Sequence, residues 1–278
     1  MSSFDFSQLF YEDIVILNIM VEDDYNKIVH DHYVEQANQH KLSLTSTMRD
    51  LNVRRLEIEN VLKYLQDDKN CLEVGCGNGA ASIEILKNKR IKLLSIDVTK
   101  EMIDLAKQQP KKNIIGSVEF VHKDVLNLDY EENFDIVFTI RCIINLMKWE
   151  DQRKALGNLA KAVKRGGELV LLEAFSDGLE ELNQARKELG LEPLPPAYHN
   201  LHLKKDLVIS HLSKLNLEFL HENNFLSSYY FWTRGIYPAL TKGLALEPVH
   251  NSKIDSYFSN FPSYGNFAHI KILAFRKK

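Results

Sequence analysis

Short apolar runs alternate with amphipathic stretches through the middle of the chain. Cys71 to Val74, Ile91 to Ile96, Val118 to Lys123, Phe134 to Ile140 and Glu168 to Glu173 have the length and composition of strands. Between them lie a segment holding Glu101 to Ala106 and another from Glu150 to Lys164, both helical in character, and a Gly166-Gly167 break precedes the fifth run. Such alternation predicts an α/β domain with parallel strands, because each crossover between parallel neighbours needs a helix-sized connection. The flanks differ from this core. Residues 1–69 are helical in pattern, and Glu57, Ile58, Val61, Leu62 and Leu65 have the i, i+3, i+4 spacing that packs a final helix beside the first strand. Residues 174–206 break the alternation with a charged helix from Leu179 to Leu189, a bend at Pro193, Pro195 and Pro196, and then Tyr198-His199-Asn200. Residues 207–278 supply a further helix, an extended Leu217 to Leu220, an aromatic patch and a closing strand at Phe267 to Phe275.

Candidate chemistry begins where the first strand ends. Glu73, Gly75, Gly77 and Gly79 alternate with other residues, so the chain can leave a strand, bend tightly and enter a helix with its backbone N–H groups toward a ligand. Gly75-x-Gly77-x-x-Ala80 also satisfies the dinucleotide fingerprint, with Asp97 where a ribose-binding carboxylate is expected. Glu73 shifts the balance, since a carboxylate there repels a pyrophosphate but suits a cofactor bearing an ammonium and a sulfonium.

Glu73-x-Gly75-x-Gly77-x-Gly79 resembles motif I of the class I S-adenosylmethionine (SAM) methyltransferases, and the strand ends that follow support the resemblance in order. It implies a Rossmann-like, seven-stranded, mostly parallel sheet with an N-terminal helical cover and an insertion after strand five. One domain then spans 1–278, with the cover at 1–69, the SAM-binding core at 70–173, the insertion over the acceptor at 174–206 and the C-terminal half of the core at 207–278. It also implies that Asp97, followed by Val98 and Met102, binds the ribose hydroxyls, and that Asp124 and Val125 hold the adenine amino group and ring. Asn78 and Gly79 belong to the same cofactor turn.

The cover and the insertion resemble a group of bacterial small-molecule methyltransferases, through the approach sequence Thr47 to Ile58 and through Arg141-x-x-x-Asn145 followed by Tyr198-His199-Asn200. In that group aromatic and hydroxyl residues of the cover close over the methionine half of SAM, which makes Tyr25, Tyr33 and Thr47 candidates here, although the tyrosines suit helix packing equally well. Arg141 is a candidate for both cofactor and acceptor. His199 is the first choice of general base because imidazole titrates near neutral pH, with Glu173 second and Tyr198 beside them. Acceptor-binding candidates are Arg141, Asn145, Arg186, Asn200, Tyr230 and Arg234, the last two sharing a face if their region is helical. The acceptors implied are sugars, nucleotide-linked or phosphorylated precursors of a surface polysaccharide, or natural products. A nicotinamide oxidoreductase and a non-catalytic SAM-binding protein stand as the alternatives of other classes.

Composition narrows the partners. The chain has 278 residues, 45% of them hydrophobic, enough for one large core. Lys and Arg number 35 against 38 Asp and Glu, a net charge of -3, so no general field attracts a nucleic acid and a small-molecule substrate is expected. Three cysteines without metal-ligand spacing point to no metal and a reducing, cytoplasmic setting. Cys142 reads as a small buried residue before it reads as a nucleophile. The apolar Ile14 to Val21 is too short to span a membrane, and the aromatic C-terminal part could cover a homodimer face.

Overall fold

The computed structural model describes residues 27–46, 48–242 and 251–278. Helix α1 covers 27–40 and α2 covers Leu51–Val61. The first half of the core runs β1 (Asn70–Val74), α3 (Ala80–Leu86), β2 (Lys92–Asp97), α4 (Lys100–Gln108), β3 (Ser117–His122), β4 (Phe134–Ile140), α5 (Trp149–Ala162) and β5 (Val163–Ala174). Then come α6 (Ser176–Glu188), α7 (Lys205–Ser213), β6 (Leu217–Asn223), and α8 (Ser227–Tyr230), which continues through a π-helical turn (Phe231–Ile236) into α9 (Tyr237–Lys242). Helix α10 (Lys253–Phe258) and strand β7 (Ile270–Lys277) close the order.

The seven strands form one sheet in the order β3-β2-β1-β4-β5-β7-β6. Strands β1 to β5 pair in parallel, whereas β7 runs antiparallel to both β5 and β6. This is the Rossmann-like, mostly parallel sheet that the alternation of runs implies. The apolar runs are short and continuous because the central strands are covered on both faces. Leu72, Val137, Phe138, Leu171 and Phe275 are all fully buried. Each such side chain stabilises the fold by roughly 1.5–3 kcal/mol through removal from water.

The connection of β1 to β2 on one side and β4 on the other makes its carboxyl end the point where the strand order reverses. Ligand crevices of open α/β sheets form there, because the loops leaving adjacent strands diverge to opposite faces.

Several element boundaries differ from expectation: α5 ends at Ala162, α6 starts at Ser176 and β6 runs on to Asn223, and two further differences fall in the sheet. Strand β5 starts at Val163 and runs across Gly166-Gly167, with a register shift between Phe134 and Ile136 of β4. Gly166 sits at φ +75°, and a Cβ on Gly167 would lie 2.7 Å from the Asp135 carbonyl oxygen, so the glycines make a bulge in the strand. The closing strand begins at Ile270, three residues after the expected Phe267.

The insertion is stapled to the sheet by an internal ion cluster. Lys271 of β7 is 0% exposed, and its Nζ lies 2.8 Å from Asp177 of α6 and 3.0 Å from Glu222 of β6. Lys205 joins the same two carboxylates at 3.6 and 3.0 Å. Removing Lys271 strands two partly buried acids. Lys271→Ala is expected to cost about 3 kcal/mol of unfolding free energy in urea titration; a loss under about 1 kcal/mol would show that Lys205 alone holds the cluster.

Candidate functional site

Beyond β1 the chain turns through Gly75, Gly77 and Gly79, all at positive φ. Gly75 has a second reason to be glycine, since a Cβ there would lie 2.5 Å from Cβ of Cys142. The turn is tied to β2: Gly75 and Cys76 donate to the Ile96 carbonyl at 2.8 and 3.0 Å, and Gly77 donates to Oδ2 of Asp97 at 2.8 Å. The other Asp97 oxygen accepts from Thr99 N–H at 2.8 Å. Burial raises the Asp97 carboxyl, against which those amides lower it. Asp124 caps the turn Val125–Asn127, accepting from Leu126 N–H at 2.8 Å.

Glu73, Gly75, Gly77, Asn78, Asp97 and Asp124 line one cavity of about 580 Å³, together with Val98 and Val125. That volume lies within the range for small ligands and cofactors. Glu73 is buried and accepts from the hydroxyls of Ser82 and Ser95 at 2.5 and 2.7 Å; desolvation raises its carboxyl, while those hydroxyls and Arg54 lower it. The lining sets three carboxylates beside Lys27, Arg54, Lys123 and Arg141, and Glu73 at the glycine turn opposes a pyrophosphate there.

The far wall is built on a buried acid. Glu173 is 0% exposed and accepts from the N–H groups of Cys142 and Ile143 at 3.0 Å each and of Ile144 at 3.4 Å. This fixes the loop after β4, where Arg141 sits at φ +54° and donates its amide to the Leu172 carbonyl at 2.7 Å. The Arg141 guanidinium pairs with Glu57 of α2 at 2.8 Å, and Glu57 also meets Arg54 at 3.1 Å. Asn145 donates to the Arg141 carbonyl at 3.1 Å and accepts from the Tyr33 hydroxyl at 3.1 Å. Burial pushes that phenol up to about 12.

A second cavity, of about 260 Å³, adjoins the first and shares Tyr33 and Arg141 with it. His32 and Gln36 of α1, Arg49, Ile144, His199 and Asn200 complete most of its wall. The rings of His32 and His199 stack with centroids 4.1 Å apart, which joins the cover to the insertion. Burial, helped by His32 and Arg141, lowers His199 to about 4. Its Nδ1 and the Asn200 Oδ1 are buried without a hydrogen-bond partner.

Several sequence candidates lie elsewhere. Glu173 lines neither cavity and spends its carboxylate on backbone amides, so it is a positioning residue instead of a base facing the crevice. Tyr198 is 68% exposed, lines neither cavity, and its hydroxyl bonds His32 at 3.0 Å. Arg186 bonds the carbonyls of Glu192 and Arg234, and Arg234 pairs with Asp50 at 2.7 Å. Tyr230 is buried and does meet Arg234, whose guanidinium lies 4.6 Å from its ring centre, but both are enclosed away from the cavities. Met102 is core, and Gly79 caps α3 against Phe120. Asn78 lines the cavity while its amide clamps the cover through the carbonyls of Lys41 and Ser43. Asn145 lines the cofactor-side cavity and not its neighbour. Tyr25 and Thr47 lie outside the described residues.

Sequence reasoning missed Arg54, Glu57, His32, Gln36 and Arg49. Arg54 and Glu57 carried a signal, because two charges fall i, i+3 on the same stretch as the apolar residues of α2. His32 carried none, and Arg49 lay in the Thr47 to Ile58 segment without being singled out. Cys142 is partly buried, not fully as expected, and packs on Gly75, with its thiol pushed well up by desolvation. Among the described residues no group of His, Cys, Asp and Glu is placed to hold a metal ion, and no helix is long and apolar enough to cross a membrane.

A glycine turn at the switch point of a mostly parallel sheet, with an acid ending the next strand, defines a nucleotide-cofactor α/β domain. Residues 71–167 match the family model described as a methyltransferase domain. An O-methyltransferase of Aspergillus nomiae is 29% identical over 108 residues, 38% of this chain and 47% of that protein. A demethylmenaquinone methyltransferase of Oceanobacillus iheyensis is 29% identical over 167 residues, 59% of this chain and 64% of that protein. The chain thus spans about half to just under two thirds of the length of these curated relatives. In fold it is similar to a magnesium protoporphyrin IX methyltransferase from Synechocystis PCC 6803 solved with bound S-adenosylhomocysteine (SAH), with a TM-score of 0.54 at 16% identity over 94% of this chain and 100% of that one. Residues 71–167 thus match a methyltransferase domain in sequence, on a fold shared with that SAH-bound enzyme.

Three partly buried histidines set a pH limit on this architecture. Unfolded imidazoles protonate near 6.5, whereas His199 and His202 are lowered to about 4 and His269 to about 3, each mainly by burial. The unfolded chain therefore binds more protons below about pH 6.5, and stability present above that value is lost as pH falls toward 4. Urea midpoints should decline steadily from about pH 7 to about pH 5; a flat profile there would show that these rings are solvated.

Proposed function

We propose that this chain transfers the methyl group of SAM to an oxygen or nitrogen of a small polar acceptor. The observation that carries the reading is the pair of adjoining cavities sharing Tyr33 and Arg141. One has the acids and the glycine turn of a cofactor site, and the other has unspent polar atoms on the insertion. Bound SAM supplies a methyl on a sulfonium, a leaving group that needs no protonation. In this reading Asp97 accepts from the ribose hydroxyls, and Asp124 and Val125 hold the adenine. Glu73 lies toward the ammonium, while Tyr33 and Arg141 enclose the methionine end.

The remaining task is alignment. Holding acceptor and methyl in attack geometry supplies roughly 7–11 kcal/mol, against about 10²–10⁴-fold from a positioned base. His199 is the residue to accept the acceptor's proton. Its lowered basicity makes it neutral at pH 7 and a weak base until a negative charge is brought beside it. A hydride-transfer reading is opposed by the Glu73 carboxylate beside the glycine turn, where a pyrophosphate would lie. The names of the relatives above include no polysaccharide enzyme, so the glycan-precursor acceptor draws no support from them.

Thermal unfolding with SAM, SAH and NAD in parallel tests the cofactor. At about 100 times its Kd a native-state ligand adds roughly 2.7 kcal/mol, so SAM and SAH should raise the midpoint and NAD should not. Asp97→Asn should weaken SAH by roughly 10–100-fold, the value of a charge-assisted hydrogen bond. A shift with NAD alone would overturn the reading. With methyl-labelled SAM and a panel of small acceptors, His199→Gln should lower turnover roughly 10²-fold while SAH affinity holds, and equal turnover would remove His199 as the base.

A further inference from the structure

The second cavity has a charge pattern that nothing in the cofactor site requires. Arg49, Arg141, His32, His199, Gln36, Asn200 and the Tyr33 phenol bring N–H and O–H groups to it, and no Asp or Glu lines it. The two arginines differ in state. Arg141 is committed to Glu57 at 2.8 Å. Arg49 is exposed, and no carboxylate among the described residues pairs with its guanidinium.

The position of Arg49 is nevertheless built. Its carbonyl accepts from the Asn251 amide at 2.9 Å, and the same Asn251 accepts from Leu51 N–H at 2.7 Å. Its neighbour Asp50 caps α2 through the N–H groups of Asn52 and Val53 at 3.1 Å each, and holds Tyr229 and Arg234 at 3.0 and 2.7 Å. A backbone fixed from both sides around an unspent guanidinium presents a permanent cation at the wall of a small cavity. On the lining of the same cavity, the buried Nδ1 atom of His199 and Oδ1 atom of Asn200 lack hydrogen-bond partners. An acceptor of hydrogen bonds left bare in a buried place is costly, so a ligand that donates an O–H or N–H there is favoured.

We infer that the acceptor is an anion bearing a hydroxyl or amine close to its charged group, with the carboxylate or phosphate on Arg49 and the nucleophile at His199 and Asn200. This deepens the methyl-transfer reading and rests on it for the word acceptor; the anion site itself stands on the cavity. A planar, permanently charged guanidinium matches either anion through paired N–H groups. The first cavity mixes three carboxylates with Lys27, Arg54, Lys123 and Arg141, whereas the second has cationic side chains and no carboxylate, which favours the anion in the second.

The test is thermal unfolding of the full chain with inorganic phosphate, glycolate and neutral ethylene glycol, each with and without SAH, for wild type and Arg49→Gln. Arg49 is exposed, so the variant is expected to fold. An anion at about ten times its Kd should raise the wild-type midpoint by roughly 3 °C, ethylene glycol should not, and Arg49→Gln should lose the rise. The variant also removes general salting effects, which act on both proteins alike. A rise with phosphate alone assigns a phosphorylated acceptor, one with glycolate alone assigns a hydroxy acid, and a rise with both supports the shared anion chemistry. No anion-specific rise, or an equal rise in Arg49→Gln, overturns the inference. A response to SAH without one to anions defeats this inference and keeps the cofactor reading; the reverse result keeps the anion site and defeats the cofactor reading.

Discussion

The site depends on one carboxylate that never reaches a ligand. Glu173, at the end of β5, gathers the amides of Cys142, Ile143 and Ile144 in the dry interior of the sheet. Buried amides need partners, and a buried carboxylate needs donors, so each requirement meets the other. The loop held in this way places Cys142 against Gly75, Arg141 against Glu57, and Asn145 against the Tyr33 hydroxyl. Core, glycine turn and cover thus meet around a single buried acid. Substitution of Glu173 would disturb both cavities without touching either.

The second cavity is built from elements that the sheet does not dictate. The cover is clamped to the glycine turn by Asn78 and Gln109, which donate to carbonyls of residues 41–43. It reaches the insertion through the His32–His199 stack and the Tyr198 hydroxyl. The insertion in turn is fixed to β6 and β7 by the Lys271 cluster. The second cavity is therefore enclosed by segments remote in sequence, each held by its own polar anchor.

The fold was legible because parallel strands buried on both faces must be apolar throughout, and their ends must carry the turn chemistry. Glu73, the glycines, Asp97 and Asp124 follow from that local rule, and all but Gly79 line the cofactor cavity. The second cavity obeyed no such rule. Glu173, Arg186 and Arg234 have the chemistry of a site but are consumed by backbone groups and by Asp50. His32 and Arg49, which do line the second cavity, sit in segments whose sequence only says helix or bend. Whether a polar side chain is spent or available depends on tertiary partners, and spacing along the chain does not encode them. His199 and Asn200 were legible only through the resemblance of their tripeptide to a known group.

The central claim is that one ligand spans from Asp124 to Tyr33 with its sulfur toward the cavity of Arg49 and His199. A crystal structure of the protein with SAH measures this directly. The account predicts ribose hydroxyls on Asp97, adenine beside Asp124 and Val125, and the homocysteine sulfur opening onto the second cavity between Tyr33 and Arg141. SAH bound with its sulfur turned away from that cavity, or with its adenine in the second cavity, would contradict it.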